Sequence, residues 1–182
     1  MRKRMEKTSL GRTKMYDIII QSIGGIGLLC AVIAFQCKKH KNVMLFRTLN
    51  EIFFAIQYLC LASYTGVAMN LIGSVRNIIF AIQVKKEKST LIWQILFSFM
   101  FIVIGILITN GIVSVMVILA KVVTTIAYSL KNTKYIRLLT LPTSICWLVY
   151  NIVCNSFAGI LCEAFTICSI ITAIIRIDII KK

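Results

Sequence analysis

Within long apolar runs, this sequence carries a few ionisable and amide side chains whose types and spacing could hold a polar solute. Asn70, Gly73 and Asn77 recur at three- and four-residue intervals and so share one face of a helix, with Arg76 beside Asn77. Trp147 and Asn151 repeat the four-residue interval later in the chain, and Glu163, Thr166 and Ser169 form a stripe spaced at three, with Arg176 beyond. Arg47, Asn50, Glu51 and Gln57 lie near one face of a further run, and Lys121 stands in another. An amide both donates and accepts, a guanidinium offers a planar fork of donors, and a carboxylate accepts. A charge at the centre of a bilayer costs at least about 2.5–3.5 kcal/mol, so charges buried in apolar runs mark pathways or sites. The residues expected to line a central substrate site are Asn70, Arg76, Asn77, Trp147, Asn151 and Glu163. For the deeper charges Arg76, Lys121 and Glu163, the readings are a pocket or interior ion pairs. Arg47, Arg176 and Asp178 are expected to snorkel to the water interface.

Catalytic patterns are missing from the sequence. The single histidine, His40, stands in a basic segment, and no HExxH, phosphate-binding loop or nucleophile elbow occurs. The seven cysteines make no CxxC pair and read as small packing residues. Gly24, Gly25 and Gly27 lack the strand and turn of a nucleotide loop and read as a close helix contact. The chain is therefore expected not to be an enzyme, and to carry no cofactor and no metal.

The elements that must position these residues follow from composition. Of 182 residues, 59% are hydrophobic and 15% charged, and mean hydropathy is +0.89. Soluble domains are about 45–50% apolar, so a soluble fold is excluded and an all-α integral membrane protein is indicated. A bilayer-crossing helix needs about 20 apolar residues, and seven fit: about 16–36, 44–63, 65–84, 91–108, 111–130, 136–154 and 158–180. The short connections around Tyr64-Thr65-Gly66, Thr109-Asn110-Gly111 and Asn155-Ser156-Phe157 make neighbouring helices antiparallel. The net charge of +15 comes from clusters between the runs, which suits loops beside anionic lipid rather than nucleic acid.

Those clusters alternate. Lys38, Lys39 and Lys41 follow the first run, Lys85, Lys86 and Lys88 the third, and Lys131, Lys134 and Arg137 the fifth, and the chain ends in Lys181-Lys182. The three intervening turns carry neither Lys nor Arg. The positive-inside rule then puts the basic loops and the C-terminus in the cytoplasm and the N-terminus outside. The basic segment at residues 1–15 opposes that orientation. A biological start at Met15 would remove the conflict; the alternative is a real tail that is translocated despite its charge or held inside.

Sliding the chain on itself by 93 residues sets Ala34-Phe35, Lys38 and Lys41 on Ala127-Tyr128, Lys131 and Lys134, and Ser63-Tyr64-Thr65-Gly66 on Ser156-Phe157-Ala158-Gly159. One offset aligns both a basic loop and a neutral turn. The expected organisation is a basic segment at 1–15, a three-helix repeat at 16–84, an unpaired linker helix at 91–108 and a second repeat at 111–180. Both repeats point the same way, because the fourth helix restores the chain direction. This 3+1+3 plan is that of the SWEET transporters.

The stretch Cys146-Trp147-Leu148-Val149-Tyr150-Asn151, then Ser156-Phe157-Ala158-Gly159 and Glu163, resembles the bacterial YgjV family of inner-membrane proteins. Arg76-Asn77 after Gly73, and Ile175-Arg176 near the end, carry the same resemblance, which runs from about Met15 onward. It implies a fold related to the PQ-loop and SWEET-like transporters and a location in the bacterial inner membrane. Where the PQ-loop group has Pro-Gln, this chain has Pro142-Thr143.

The function expected is a small-solute transporter or facilitator with a central site between the repeats. The alternative is a non-transporting assembly or sensory protein whose buried charges only pair helices. The partners expected are the lipid bilayer and a small-molecule solute, with no nucleic acid; a homo-oligomer is compatible with the sequence.

Overall fold

The computed structural model describes the backbone of residues 2–108 and 111–179 and the side chains of residues 15–108 and 111–177. The side chains of the basic N-terminal segment, the connection at Thr109-Asn110, Asp178 and the terminal Lys181-Lys182 lie outside the described residues. Seven α-helices follow one another: α1 Arg2–Gln36, α2 His40–Cys60, α3 Tyr64–Lys85, α4 Leu91–Ile108, α5 Ile112–Ser129, α6 Thr133–Val153 and α7 Phe157–Ala173. The last continues as a short π-helical stretch, Ile174–Ile179. There is no strand among the described residues.

All seven helices contain a stretch long and apolar enough to cross a membrane, from 18 to 22 residues. At about 1.5 Å rise per residue such stretches match a hydrocarbon core about 30 Å thick. In α1 that stretch is Met15–Gln36. The α1 backbone begins thirteen residues earlier, at Arg2, so the basic segment continues the helix. Its Arg, Lys, Met and Glu residues are good helix formers.

Each helix has a lipid-facing side of large apolar residues, such as Leu107, Ile112 and Phe157, and an inner side that is buried. α1 packs on α2 and α7, α2 on α3, α3 on α5, α5 on α6, and α6 on α7, which closes a ring of six helices. α4 lies outside that ring against α3 and α5 and buries only Phe97, Phe101 and Gly105.

Small residues set the closest approaches. A Cβ on Gly24 would come 2.5–2.6 Å from Gln57 Oε1 and Ala158 Cβ, and one on Gly27 2.9 Å from the Phe54 ring. Gly25 meets nothing within 4 Å, so two of the three clustered glycines make the contact.

Two connections differ from the sequence expectation. The turn before α3 is Leu61–Ser63 rather than Tyr64–Gly66, because Ala62 takes the left-handed conformation (φ 54°) that ends α2. The same conformation at Asn155 (φ 53°) ends α6, and the Ser156 hydroxyl then caps α7 by accepting from Gly159 N at 3.1 Å. Arg137, read as a loop residue, is buried within α6 and donates to Phe35 O at 3.5 Å. The N-cap at Asn132, accepting from Lys134 N at 2.9 Å, starts α6 early enough to turn Arg137 inward.

The helices thus present two ends. One carries the lysine-bearing connections Cys37–Lys39, Lys86–Thr90 and Leu130–Asn132; the other carries the neutral turns Leu61–Ser63 and Cys154–Ser156.

Candidate functional site

Polar side chains meet inside the ring. Glu51, on α2, is their hub: its Oε1 accepts from Arg76 Nη2 at 3.1 Å and from Lys121 Nζ at 3.1 Å. The Gly73 position makes this approach open, because a Cβ there would overlap Glu51 Oε2 and stand 2.9 Å from Lys121 Nζ. Arg76 is fully buried. It also donates to Asn77 Oδ1 at 2.9 Å and to Thr125 Oγ1 at 2.9 Å, and its guanidinium lies 4.9 Å from the Tyr128 ring centre. Lys121 Nζ adds a hydrogen bond to Asn70 Oδ1 at 3.2 Å and sits 5.2 Å over the Trp147 ring. Breaking such a buried pair by removing one partner typically costs 3–5 kcal/mol, on the order of a sizeable fraction of a protein's stability.

Beside this network lies a cavity of about 20 Å³, lined by Arg47, Asn50, Phe54, Tyr58, Asn70, Lys121, Trp147 and Glu163. That volume suits about one water molecule. Arg47 was expected to reach out to the interface; instead it turns inward. Its guanidinium lies between the rings of Phe35 and Tyr128, 5.3 and 5.7 Å from their centres, and its buried Nε has no hydrogen-bond partner. Cation–π contact with two rings fixes the direction of the guanidinium, while the residue as a whole is half-buried. Arg176, by contrast, is exposed. Glu163 is half-buried, with Ser144 as its hydrogen-bonding neighbour. Among the described residues the ion pairs all run to Glu51, so Arg47 and Glu163 face the cavity outside any close pair.

The six residues singled out in the sequence divide. Asn70, Trp147 and Glu163 line the cavity. Arg76 and Asn77 are buried behind it: Arg76 is taken up by Glu51, Thr125 and Asn77 Oδ1, whereas Asn77 Nδ2 is buried without a hydrogen-bond partner. Asn151 is buried toward the neutral end, where its Oδ1 accepts from Tyr58 Oη at 2.7 Å. The remaining lining residues include Arg47, Asn50, Phe54 and Tyr58. The α2 polar face at Arg47, Asn50 and Glu51 was visible in the sequence, whereas nothing local distinguishes Phe54 or Tyr58 from a packing aromatic.

Toward the neutral end a larger cleft of about 210 Å³ is lined by Ser63, Thr65, Ser114 and Tyr150, among others. Tyr58 and Tyr150 stand between cleft and cavity with their rings edge-on, 5.8 Å apart, and Tyr150 Oη accepts from Gly66 N at 2.9 Å.

The family model described as bacterial inner membrane protein, Imp-YgjV, matches residues 18–180. The chain belongs to this family. Membership agrees with the seven membrane-length helices and makes the chain a multi-pass inner membrane protein of the YgjV family. Neither curated proteins nor solved structures give a match. In this YgjV-family chain the match spans all of the cavity-lining residues and the Glu51 network.

Proposed function

We propose that this chain is a small-solute transporter or facilitator, built as two parallel three-helix repeats (α1–α3 and α5–α7) joined by α4, with its solute site at the central cavity. The observation that carries the reading is that pairs of residues 93 apart converge on that cavity. Phe54 and Trp147 both line it, as do Asn70 and Glu163. Phe35 and Tyr128 both flank Arg47. The backbone supports the same offset: Ser63 N donates to Tyr58 O and Ser156 N to Asn151 O, both at 2.9 Å. The left-handed residues Ala62 and Asn155 are 93 apart as well. Between α3 and α5, Arg76 bonds Thr125; between α7 and α1, Ser169 bonds Val32 O, at positions 93 before or after. A site on the axis between two such bundles is where parallel-repeat transporters bind substrate.

The repeats carry different chemistry at matched positions. The first has Glu51 and Asn70 where the second has Ser144 and Glu163. The walls are therefore alike in shape and unlike in charge, which suits a polar, asymmetric solute. The lysine-bearing end would face the cytoplasm and the neutral end the outside, with Tyr58 and Tyr150 closing the cavity from the outer cleft.

The small cavity and the paired Glu51 network also favour a second reading, a non-transporting assembly or sensory protein. Solute-uptake profiling of the full chain in proteoliposomes separates the two. The transport reading expects protein-dependent flux of at least one small polar solute, lost on blocking the cavity with Asn70→Trp. Absence of flux across a broad panel, with the protein folded, supports the second reading.

A further inference from the structure

We infer that the groove between the α3–α4 and α5–α6 connections binds the phosphate of an anionic membrane phospholipid, held by Lys88 and Lys131 with the acyl chains along α4. This inference goes beyond the transport reading and is independent of the central cavity. The groove lies at the lysine-bearing end, where the membrane-length stretches Leu91–Ile108 and Ile112–Ser129 begin and end, so it stands at the level of the lipid headgroups. Its volume, about 520 Å³, admits a headgroup phosphate, where the central cavity suits one water. The charged residues that line it are Lys88, Lys131 and Glu87, which leaves one positive charge in excess. Lys85, Lys86 and Lys134 flank them in the sequence. Both lining lysines are exposed, and among the described residues neither forms an ion pair. Basic pockets between transmembrane helices at the membrane surface suit anionic headgroups.

Hydrogen bonds hold the walls together. Glu87 takes the left-handed conformation (φ 54°) and Lys88 N donates to Gln83 O at 3.0 Å, which ends α3 in a fixed turn. Thr90 Oγ1 donates to Ser129 O at 3.4 Å and Ser129 Oγ to Gln94 Oε1 at 3.3 Å, so α4 is tied to the end of α5. With Oε1 engaged, the Gln94 amide keeps its two N–H donors for a phosphate oxygen. Below the groove the surface turns apolar. Leu91 lines it, and Ile95, Phe99, Ile102 and Ile106 continue the same exposed face of α4 at intervals of three and four. A phosphate above and hydrocarbon below describe a phospholipid rather than a free phosphate ion. A headgroup that also carries an ammonium would set a third cation beside the two lysines, with Glu87 alone to receive it. A headgroup whose remainder is hydroxylated and uncharged keeps the net negative charge and gives Glu87 a hydroxyl to accept from.

The test is lipid binding to the full chain in detergent micelles, read by native mass spectrometry and thermal shift. The probes are phosphatidylglycerol, phosphatidylethanolamine, phosphatidylcholine and inorganic phosphate at equal phosphate concentration. Phosphatidylglycerol is expected to stay bound and to raise the melting temperature, more than either zwitterionic lipid and more than inorganic phosphate. Lys88→Gln and Lys131→Gln should each weaken its binding roughly fivefold, and the double variant more than about tenfold. Lys38→Gln with Lys39→Gln removes two exposed lysines from the same end but outside the groove and should leave binding within about twofold. All four side chains are exposed, so the variants are expected to fold. The inference is overturned by equal binding of phosphatidylglycerol and phosphatidylcholine, by equal stabilisation with inorganic phosphate, or by no lipid binding to the folded protein. It is overturned as well if the Lys38 and Lys39 pair loses as much binding as the Lys88 and Lys131 pair, which would make the attraction a property of the whole basic end.

Discussion

Tyr58 and Asn151, 93 residues apart, are joined by a 2.7 Å hydrogen bond from the tyrosine hydroxyl to the amide oxygen. Each is seated against a glycine eight residues further on. A Cβ on Gly66 would press on the Tyr58 ring, and one on Gly159 would overlap the Asn151 side chain. Asn151 Nδ2 is itself satisfied by Trp147 O at 2.9 Å, so the pair ties α2 to α6 with both amide functions in use. Both residues are almost fully buried.

Removing either partner strands a buried polar group. Asn151→Leu should destabilise by about 1–3 kcal/mol, measured by unfolding in detergent micelles. Tyr58→Phe should do likewise, and the double variant should cost clearly less than the sum of the singles. Additive effects would show that the bond contributes nothing specific.

Glu51 neutralises two cations through one oxygen. Glu51→Gln should therefore destabilise by about 3–5 kcal/mol, or abolish accumulation in the membrane, while Lys121→Met should cost less because Arg76 keeps its carboxylate. Gly73→Ala should resemble Glu51→Gln, since its methyl group would occupy the space of the Glu51 carboxylate. Expression and thermal stability of the three variants check the order; a mild Glu51→Gln would contradict it.

Gly24 and Gly25 provide a controlled comparison on one turn of α1. Gly24→Ala places a methyl against Gln57 and Ala158 and should destabilise by about 1–3 kcal/mol through overpacking. Gly25→Ala meets open space and should be neutral or stabilise by up to about 1 kcal/mol through backbone entropy. Equal melting temperatures for the two variants would contradict this packing.

Glu163 lines the cavity with Arg47 and Lys121 but, among the described residues, forms no ion pair within 4.0 Å. In an uptake or growth assay, Glu163→Gln should impair function more than Asp178→Asn, with stability changing by less than about 1 kcal/mol, as expected when no buried pair is broken. Equal and negligible effects would make Glu163 structural.

The sequence by itself determined the class and the spans, because hydropathy and length are local properties. It takes about 20 apolar residues to cross a bilayer whatever the neighbours are, and α4 begins and ends where the apolar run does. The sequence also marked the residues of interest, since a charge or amide within such a run must avoid lipid. Which of them meet was decided by tertiary structure. Helical period assigns a residue to a face, but the rotation and depth of each helix come from packing at Gly24, Gly27 and Gly73. Those contacts brought Glu51 between Arg76 and Lys121, turned Arg47 inward between two rings, and drew Asn151 away from the cavity to Tyr58. A buried polar group takes the partner that the neighbouring helix presents at hydrogen-bond distance, and that distance is fixed only when the helices have closed on one another.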